Sequence, residues 1–490
     1  MLNFLPKSLE PTPKFWVFGA GFFFIALNAI LIRYEFFWLS LLPVLALLAW
    51  LYIFSLDKVI YLITFLTPLS IRLSDYDAQL SVSLPVEPMM AAVLLLFFYK
   101  ALIENPVDNK VLRHPVSIAL FINLTWMLVS SITSEMPLVS FKQLIARLWF
   151  VVPFYFIGIM MFRYPEKIKL FGWLYYIPLI MVVIYTTINH SFHGFDGDTA
   201  HWIMSPFYND HTSYGAMIAF FVPFGFLMII SKQEYSKSMR LLAATFFVIL
   251  LIGLVLSYSR AAWLSVTVAA ATLLALWLKL KFIHLIYSII ALLLVFFALK
   301  SEILQRLEKN TQDSSATFAE HVQSISNITT DASNLERINR WSAAVRMAKE
   351  KPLTGWGPGT YQFVYAPFQY SYEKTIISTN AGNKGNAHSE YLGPLSEMGV
   401  FGLLTILFLF GSIIYTGIKV FQQAKSRWCK YLATAILLSF ITYMTHGFLN
   451  NFLTRDKAAV PFWGMAAILV ALDIYHKHKT SVTLKKKTVY

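Results

Sequence analysis

Residues 300–389, opening Lys300-Ser301-Glu302-Ile303 and closing Asn386-Ala387-His388-Ser389, form the one long polar stretch in an otherwise apolar chain. On one side lies the run Phe282 to Leu299, and on the other the chain turns apolar again from Tyr391. Inside the stretch sit a tryptophan-bearing amphipathic segment from Asn334 to Glu350, the turn Gly355-Trp356-Gly357-Pro358-Gly359, and the loop that delivers His388. Three parts follow: apolar segments over 1–299, a water-facing insert over 300–389, and a second apolar block with a basic tail over 390–490.

Of 490 residues, 57% are hydrophobic and 13% charged, whereas charged residues alone make up about 25% of a soluble domain. Apolar runs of about 18 residues or more recur, each long enough to cross a hydrocarbon core as a helix. They are continuous rather than alternating, which favours helices over a barrel. The expectation is an all-α polytopic membrane protein with 12–14 spans, the candidates being 15–32, 36–56, 58–71, 86–103, 115–134, 144–162, 168–188, 212–230, 241–257, 260–278, 282–299, 390–418, 431–449 and 458–475. The run Phe15 to Ile32 is long and lacks a small-residue cleavage site before Arg33, so it reads as the first span rather than a signal peptide.

A net charge of +14 would suggest nucleic acid in a soluble protein, but here loop topology accounts for it. With the N-terminus in the cytoplasm, most Lys and Arg of the short loops fall inside; outside remain only Arg33, Arg72, Lys142, Arg147, Arg260, Arg455 and Lys457. Both termini are then cytoplasmic and residues 300–389 face outward. This topology brings Arg260, which opens one span, to the same external face as His388, which opens another. Arg147 and Lys142 join them. A single cysteine, Cys429, excludes an internal disulfide and a cysteine-built metal site.

Several residues invite two readings. Ser333 with Glu336 fits a capping box opening a helix that runs to Pro352, with Ile338, Trp341, Val345 and Ala348 on one face and Arg337 and Arg340 near its start. On a membrane-surface helix those arginines would face water or lipid phosphate. Arg260, after Ser257-Tyr258-Ser259, either snorkels to headgroups or grips a phosphate with its planar fork. His388 is either a helix cap or a base suited to a hydroxyl near neutral pH. The glycine turn reads as a structural reversal, or as backbone amides approaching an anion. Glu397, two turns into the following span, reads as a partner for an arginine. Asp75 with Asp77, and Asp196 with Asp198 among His190, His193, His201 and His211, match no defined metal-ligand spacing. Asn327-Ile328-Thr329 fits a glycosylation sequon and reads as accidental.

Taken together, Ser257-Tyr258-Ser259-Arg260, Arg340-Trp341, Gly355-Trp356-Gly357-Pro358-Gly359, His388-Ser389-Glu390-Tyr391-Leu392 and Glu397-Met398-Gly399 resemble the O-antigen ligase and polymerase superfamily of bacterial inner-membrane proteins. The motif match spans about 250–402. Where members often carry Asn after the histidine, this chain has Ser389. The resemblance implies an all-helical fold of the C-type glycosyltransferase kind, working without metal, nucleotide or other cofactor. It implies a glycan donor linked to undecaprenyl diphosphate, and as acceptor either lipid A-core or a second carrier-linked glycan. Arg260 and Arg340 would then hold the diphosphate, and His388 would take the acceptor proton. Arg147, Lys142, Arg337, Trp341 and Glu397 would help bind substrate. The expected activity is that of an O-antigen ligase-like enzyme, or of a polymerase. A transporter or flippase of lipid-linked glycans is the rival class, and it would place its charges at mid-membrane on broken helices.

Overall fold

A computed structural model describes residues 14–72, 82–104, 107–232, 234–278, 332–374, 378 and 385–478. The expected span 282–299, the sequon at Asn327 and the pair Asp75 and Asp77 lie outside the described residues.

The chain divides into two compact units, Met1–Ile60 and Tyr61–Tyr490. The first holds α1 (Lys14–Arg33) and α2 (Leu42–Phe54). Trp16, Phe18, Phe22 and Phe23 point outward from α1, as side chains do where lipid is the solvent.

In the second unit, after α3 (Leu56–Leu66), a two-stranded antiparallel ribbon pairs β1 (Ile71–Arg72) with β2 (Ser83–Leu84) in the register Ile71 to Leu84. The bundle follows: α4 (Val86–Ile103), α5 (Pro115–Ile132), α6 (Pro137–Met161), α7 (Pro165–Ser191), α8 (His211–Ile230), α9 (Lys237–Leu256) and α10 (Arg260–Trp277). Beyond the polar insert come α12 (Leu392–Gln423), α13 (Arg427–His446) and α14 (Asp456–His476), and α11 (Ala332–Glu350) belongs to the insert.

Among the described residues, ten helices are long and apolar enough to cross a membrane, and they match ten of the fourteen expected spans. Two more, over 36–56 and 58–71, fold as the shorter α2 and α3. The expected span 431–449 is α13, which carries Thr434, Ser439 and Thr442 on buried positions. It packs against α8, α10 and α12, and protein neighbours satisfy its hydroxyls: Ser439 donates to the Phe220 carbonyl at 2.6 Å. The fold is an all-α polytopic membrane bundle.

The glycine turn sets the height at which the insert seats. Trp356 and Gly357 donate their N–H groups to the Ser396 and Glu397 carbonyls at 3.2 and 2.8 Å, and Val400 donates to the Pro352 carbonyl at 2.8 Å. α12 is broken at this point, at Gly399 with φ +69°, which frees the carbonyls that the turn caps. A Cβ on Gly355 would overlap the Glu397 carbonyl, and one on Gly399 the Leu353 carbonyl. Both glycines hold positive φ, so an added methyl meets backbone strain as well as overlap. Gly355→Ala and Gly399→Ala should each destabilise the purified protein by about 2–3 kcal/mol. Gly411→Ala, with open space around its Cα, should leave the thermal midpoint unchanged. Equal midpoints for all three would refute the docking.

Candidate functional site

At one end of the bundle α8, α10, α12 and α14 begin and α7, α9 and α13 finish. Of the insert's described residues, α11 packs on α12. The insert has its own small core of Ala344, Met347, Tyr361, Tyr365 and Ala387. Ala387 ties that core to the histidine loop.

His388 sits at φ +45°, an uncommon conformation for a residue with a side chain, and six hydrogen bonds hold its loop. Its N–H donates to Asn386 Oδ1 at 2.9 Å. Its carbonyl accepts from Trp341 Nε1 at 3.3 Å. Arg340 Nη1 donates to the Asn386 carbonyl at 3.4 Å. Two residues on, Glu390 Oε1 accepts from Tyr443 Oη and the Phe452 N–H, both at 2.6 Å, and from the Leu453 N–H at 2.9 Å. The histidine is therefore clamped between α11 and the connection from α13 to α14. Burial, reinforced by the charges of Arg337 and Arg340, pushes its pKa down to about 4 against the opposing hydrogen bond from Asn450.

The two arginines of α11 have separate environments. Arg340 is buried at 4% exposure, donates through Nε to Glu336 Oε1 at 2.7 Å and lies 4.9 Å from the Tyr365 ring centre. Glu336 also accepts from Asn339 Nδ2 at 3.3 Å and from the Ser378 hydroxyl. α11 begins at Ala332, ahead of Ser333, whose side chain lies outside what is described, and Glu336 reaches four residues onward to Arg340. The expected apolar face is rotated, since Val345 is exposed while Glu336, Asn339, Arg340, Ala344 and Met347 are buried. Three residues ahead of Arg340, Arg337 faces the α10 side. Its pKa is pushed down to about 10, first by burial and then by the charge of Arg260, with Asp210 opposing.

Arg260 is half-buried at the first position of α10. The same charge depresses His201, after burial and against the pull of Asp198. Asp210 caps α8, accepting from the Ser213 N–H at 2.7 Å, and pairs with Arg455 Nη1 at 3.0 Å. Although burial pushes its carboxyl up, the Arg455 guanidinium and these hydrogen bonds hold it well below the usual carboxylate range. Arg260, Arg337 and His388 thus share one electrostatic neighbourhood, walled by Asp210, His211, His446 and Asn450. The Asn450 amide stands 3.3 Å from His446 Nε2.

Other expected residues are dispersed. α6 starts at Pro137 rather than 144, so Arg147 lies about 15 Å along it rather than at the surface; its guanidinium sits 6.0 Å from the Trp463 ring centre. Lys142 is exposed one turn from the start of α6. Glu397 Oε1 accepts from the Tyr361 N–H at 3.2 Å, so the anion met by backbone amides just beyond the glycine turn is this carboxylate. Among the described residues no cluster of three or more His, Cys, Asp or Glu is arranged to hold a metal ion. His190 and His193 bond to the Asp196 and Asn189 carbonyls, and Asp196 Oδ2 accepts from the Asp198 and Thr199 N–H groups.

Sequence reasoning gave no site role to Glu336, Glu390, Asp210, Asn450 or Arg455. Glu390 stood beside the histidine and Asn450-Asn451 in a short polar break between spans, which were the available signals.

Because Glu336 and Arg340 are buried together, removing one partner strands the other. Glu336→Leu should cost about 3–5 kcal/mol of stability, while Glu336→Leu with Arg340→Met should recover most of it. Arg337→Gln should leave the thermal midpoint close to wild type. A midpoint lowered by Arg337→Gln as much as by Glu336→Leu would contradict the separation of roles.

No curated protein matches the chain. Residues 245–407, which hold Arg260, α11, the glycine turn, His388 and the break at Gly399, match the family model described as O-antigen ligase. The match covers a third of the chain, and over that third the chain is similar to the O-antigen ligase family.

Proposed function

We propose that the protein is an O-antigen ligase-like glycosyltransferase of the bacterial inner membrane, taking a glycan from undecaprenyl diphosphate to a hydroxyl of lipid A-core. The loop charges support a cytoplasmic location for both termini and an outward-facing site, with the insert as its cover. The observation that carries the reading is that Arg260 and His388 lie at one end of the bundle, where α10 and α12 begin, with Arg337 electrostatically coupled to each of them.

In this reading Arg260 and Arg337 hold the diphosphate, whose two negative phosphates offset the repulsion between two nearby guanidinium groups. Arg340 acts through the loop: with Glu336 and Tyr365 it positions Asn386 and so His388. The acceptor oxygen attacks the anomeric carbon of the donor sugar. The bond from that carbon to the phosphate oxygen breaks, and the diphosphate leaves with the electron pair. The hydroxyl proton passes to the His388 ring. A pKa of about 4 keeps that ring unprotonated at neutral pH, as a base requires. The arginines stabilise the charge that builds on the leaving diphosphate. Arg147, deeper in α6, and Glu397, spent on the Tyr361 N–H, act on the framework rather than on the reacting atoms. Trp341 fixes the His388 carbonyl, and Lys142 at the rim adds a cation for the approaching donor.

The test is the glycolipid profile of cells lacking the gene, complemented with wild type or with His388→Ala. Polymer stranded on the carrier, and moved to lipid A-core only by wild type, is the expected result. Single repeat units reaching lipid A-core without polymer would assign the protein as a polymerase instead. An unchanged profile, with the protein inserted at normal level, would overturn the glycosyltransferase reading.

A further inference from the structure

A second polar cavity opens at the same end of the bundle. It comprises about 570 Å³ of empty space with its mouth and lies between β1, β2, the start of α4, the start of α8 and the start of α14. Its charges are mixed: Arg72 and Arg455 are opposed by Glu87 and Asp456. Phe207 and Phe452 supply apolar wall.

The cavity is built and braced from behind. Ser70 donates to Asp456 Oδ2 at 2.6 Å, and Lys457 Nζ donates to the Ser70 carbonyl and hydroxyl at 2.7 and 2.9 Å. Lys457 also lies 5.1 Å from the Tyr208 ring centre. These bonds spend the lysine on the wall and fix one carboxylate oxygen of Asp456.

Mixed lining selects against charged ligands. A phosphate would meet Glu87 and Asp456, and a divalent cation would meet Arg72 and Arg455. A polyol meets neither penalty: its hydroxyls donate to the carboxylates and accept from the guanidinium groups, and its C–H faces cover aromatic rings. Two side chains, His446 and Asn450, connect the cavity wall to the histidine. Phe452 lies 5.4 Å, ring centre to ring centre, from His446, whose Nε2 is 3.3 Å from the Asn450 amide that reaches His388. On its other flank Arg455 forms the ion pair with Asp210 at 3.0 Å.

We infer that this cavity binds a sugar ring of the acceptor glycan that neighbours the reacting ring, so that donor and acceptor approach His388 from different flanks. The inference rests on the glycosyltransferase reading for its use and on the cavity for its ligand class.

The experiment uses the purified full-length protein and, as probe, the oligosaccharide released by mild acid from the glycolipid acceptor of the host cells. Binding is followed by saturation-transfer NMR, and transfer is followed with varied donor and varied acceptor. Glu87→Gln and, separately, Phe207→Ala should raise the acceptor KM about tenfold, the scale of one lost polar or apolar contact, while the donor KM stays within about twofold. Either variant that keeps the wild-type thermal midpoint is sufficient. An acceptor KM that does not move, or a donor KM that moves instead, would overturn the assignment while leaving transfer itself intact. Oligosaccharide binding that Glu87→Gln abolishes, in a wild-type protein without transfer activity, would uphold the cavity and overturn the reaction. Displacement by glycerophosphoethanolamine without any oligosaccharide binding would assign the cavity to a lipid headgroup and refute the inference.

Discussion

The buried Glu336–Arg340 ion pair is the constraint on which the rest of the site depends. Two charges at 2.7 Å, both almost wholly out of water, are costly to bury and are retained only where their geometry is enforced. Here the enforcement comes from Asn339, Ser378, the Tyr365 ring and the Asn386 carbonyl. The pair spans one turn of α11 and fastens the helix to the loop that holds His388 in a left-handed conformation. Gly385 is part of the same contact, since a Cβ there would overlap the Arg340 guanidinium. An apolar substitute could fill the volume, but it would not hold the Asn386 carbonyl.

A division of labour among the arginines follows. Arg340 has its charge balanced locally, whereas the charges of Arg260 and Arg337 press on each other and on the neighbouring histidines. Clustered positive charge at the mouth of an apolar bundle attracts anions from outside and strengthens its hold as water is excluded. His388 is kept neutral first by burial and then by the charges of Arg337 and Arg340. The site is thus electrically asymmetric around the histidine: cations on the α10 and α11 side, and the mixed, nearly balanced cavity on the α4 and α14 side.

Much of this was legible before any coordinates. Continuous apolar runs announced the bundle, and alternating spans with a Lys and Arg bias brought Arg260 to the His388 end, despite their distance along the chain. The choice between Arg337 and Arg340 was not legible. They lie three positions apart, and which one faces inward depends on the phase of α11 and on a Glu336 that reads equally well as a cap. The depth of Arg147 was hidden because α6 begins seven residues before its continuous apolar run, with Lys142 among them. The glycine turn was read as structural, but its seat against a break at Gly399 requires two segments distant in sequence. The polar cavity was invisible for the same reason: its residues come from three connections and the helix starts beside them, and each one alone is an ordinary residue.

The most direct measurement is a double-mutant cycle on binding of a short polyprenyl diphosphate to the purified protein, with Arg260→Gln, Arg337→Gln and both together. If the two guanidinium groups hold one diphosphate, each single change weakens binding by at least about tenfold, and the double change departs from additivity by about 1 kcal/mol or more. Affinities unchanged by either substitution would contradict the account, as would strictly additive losses from sites that do not share a ligand.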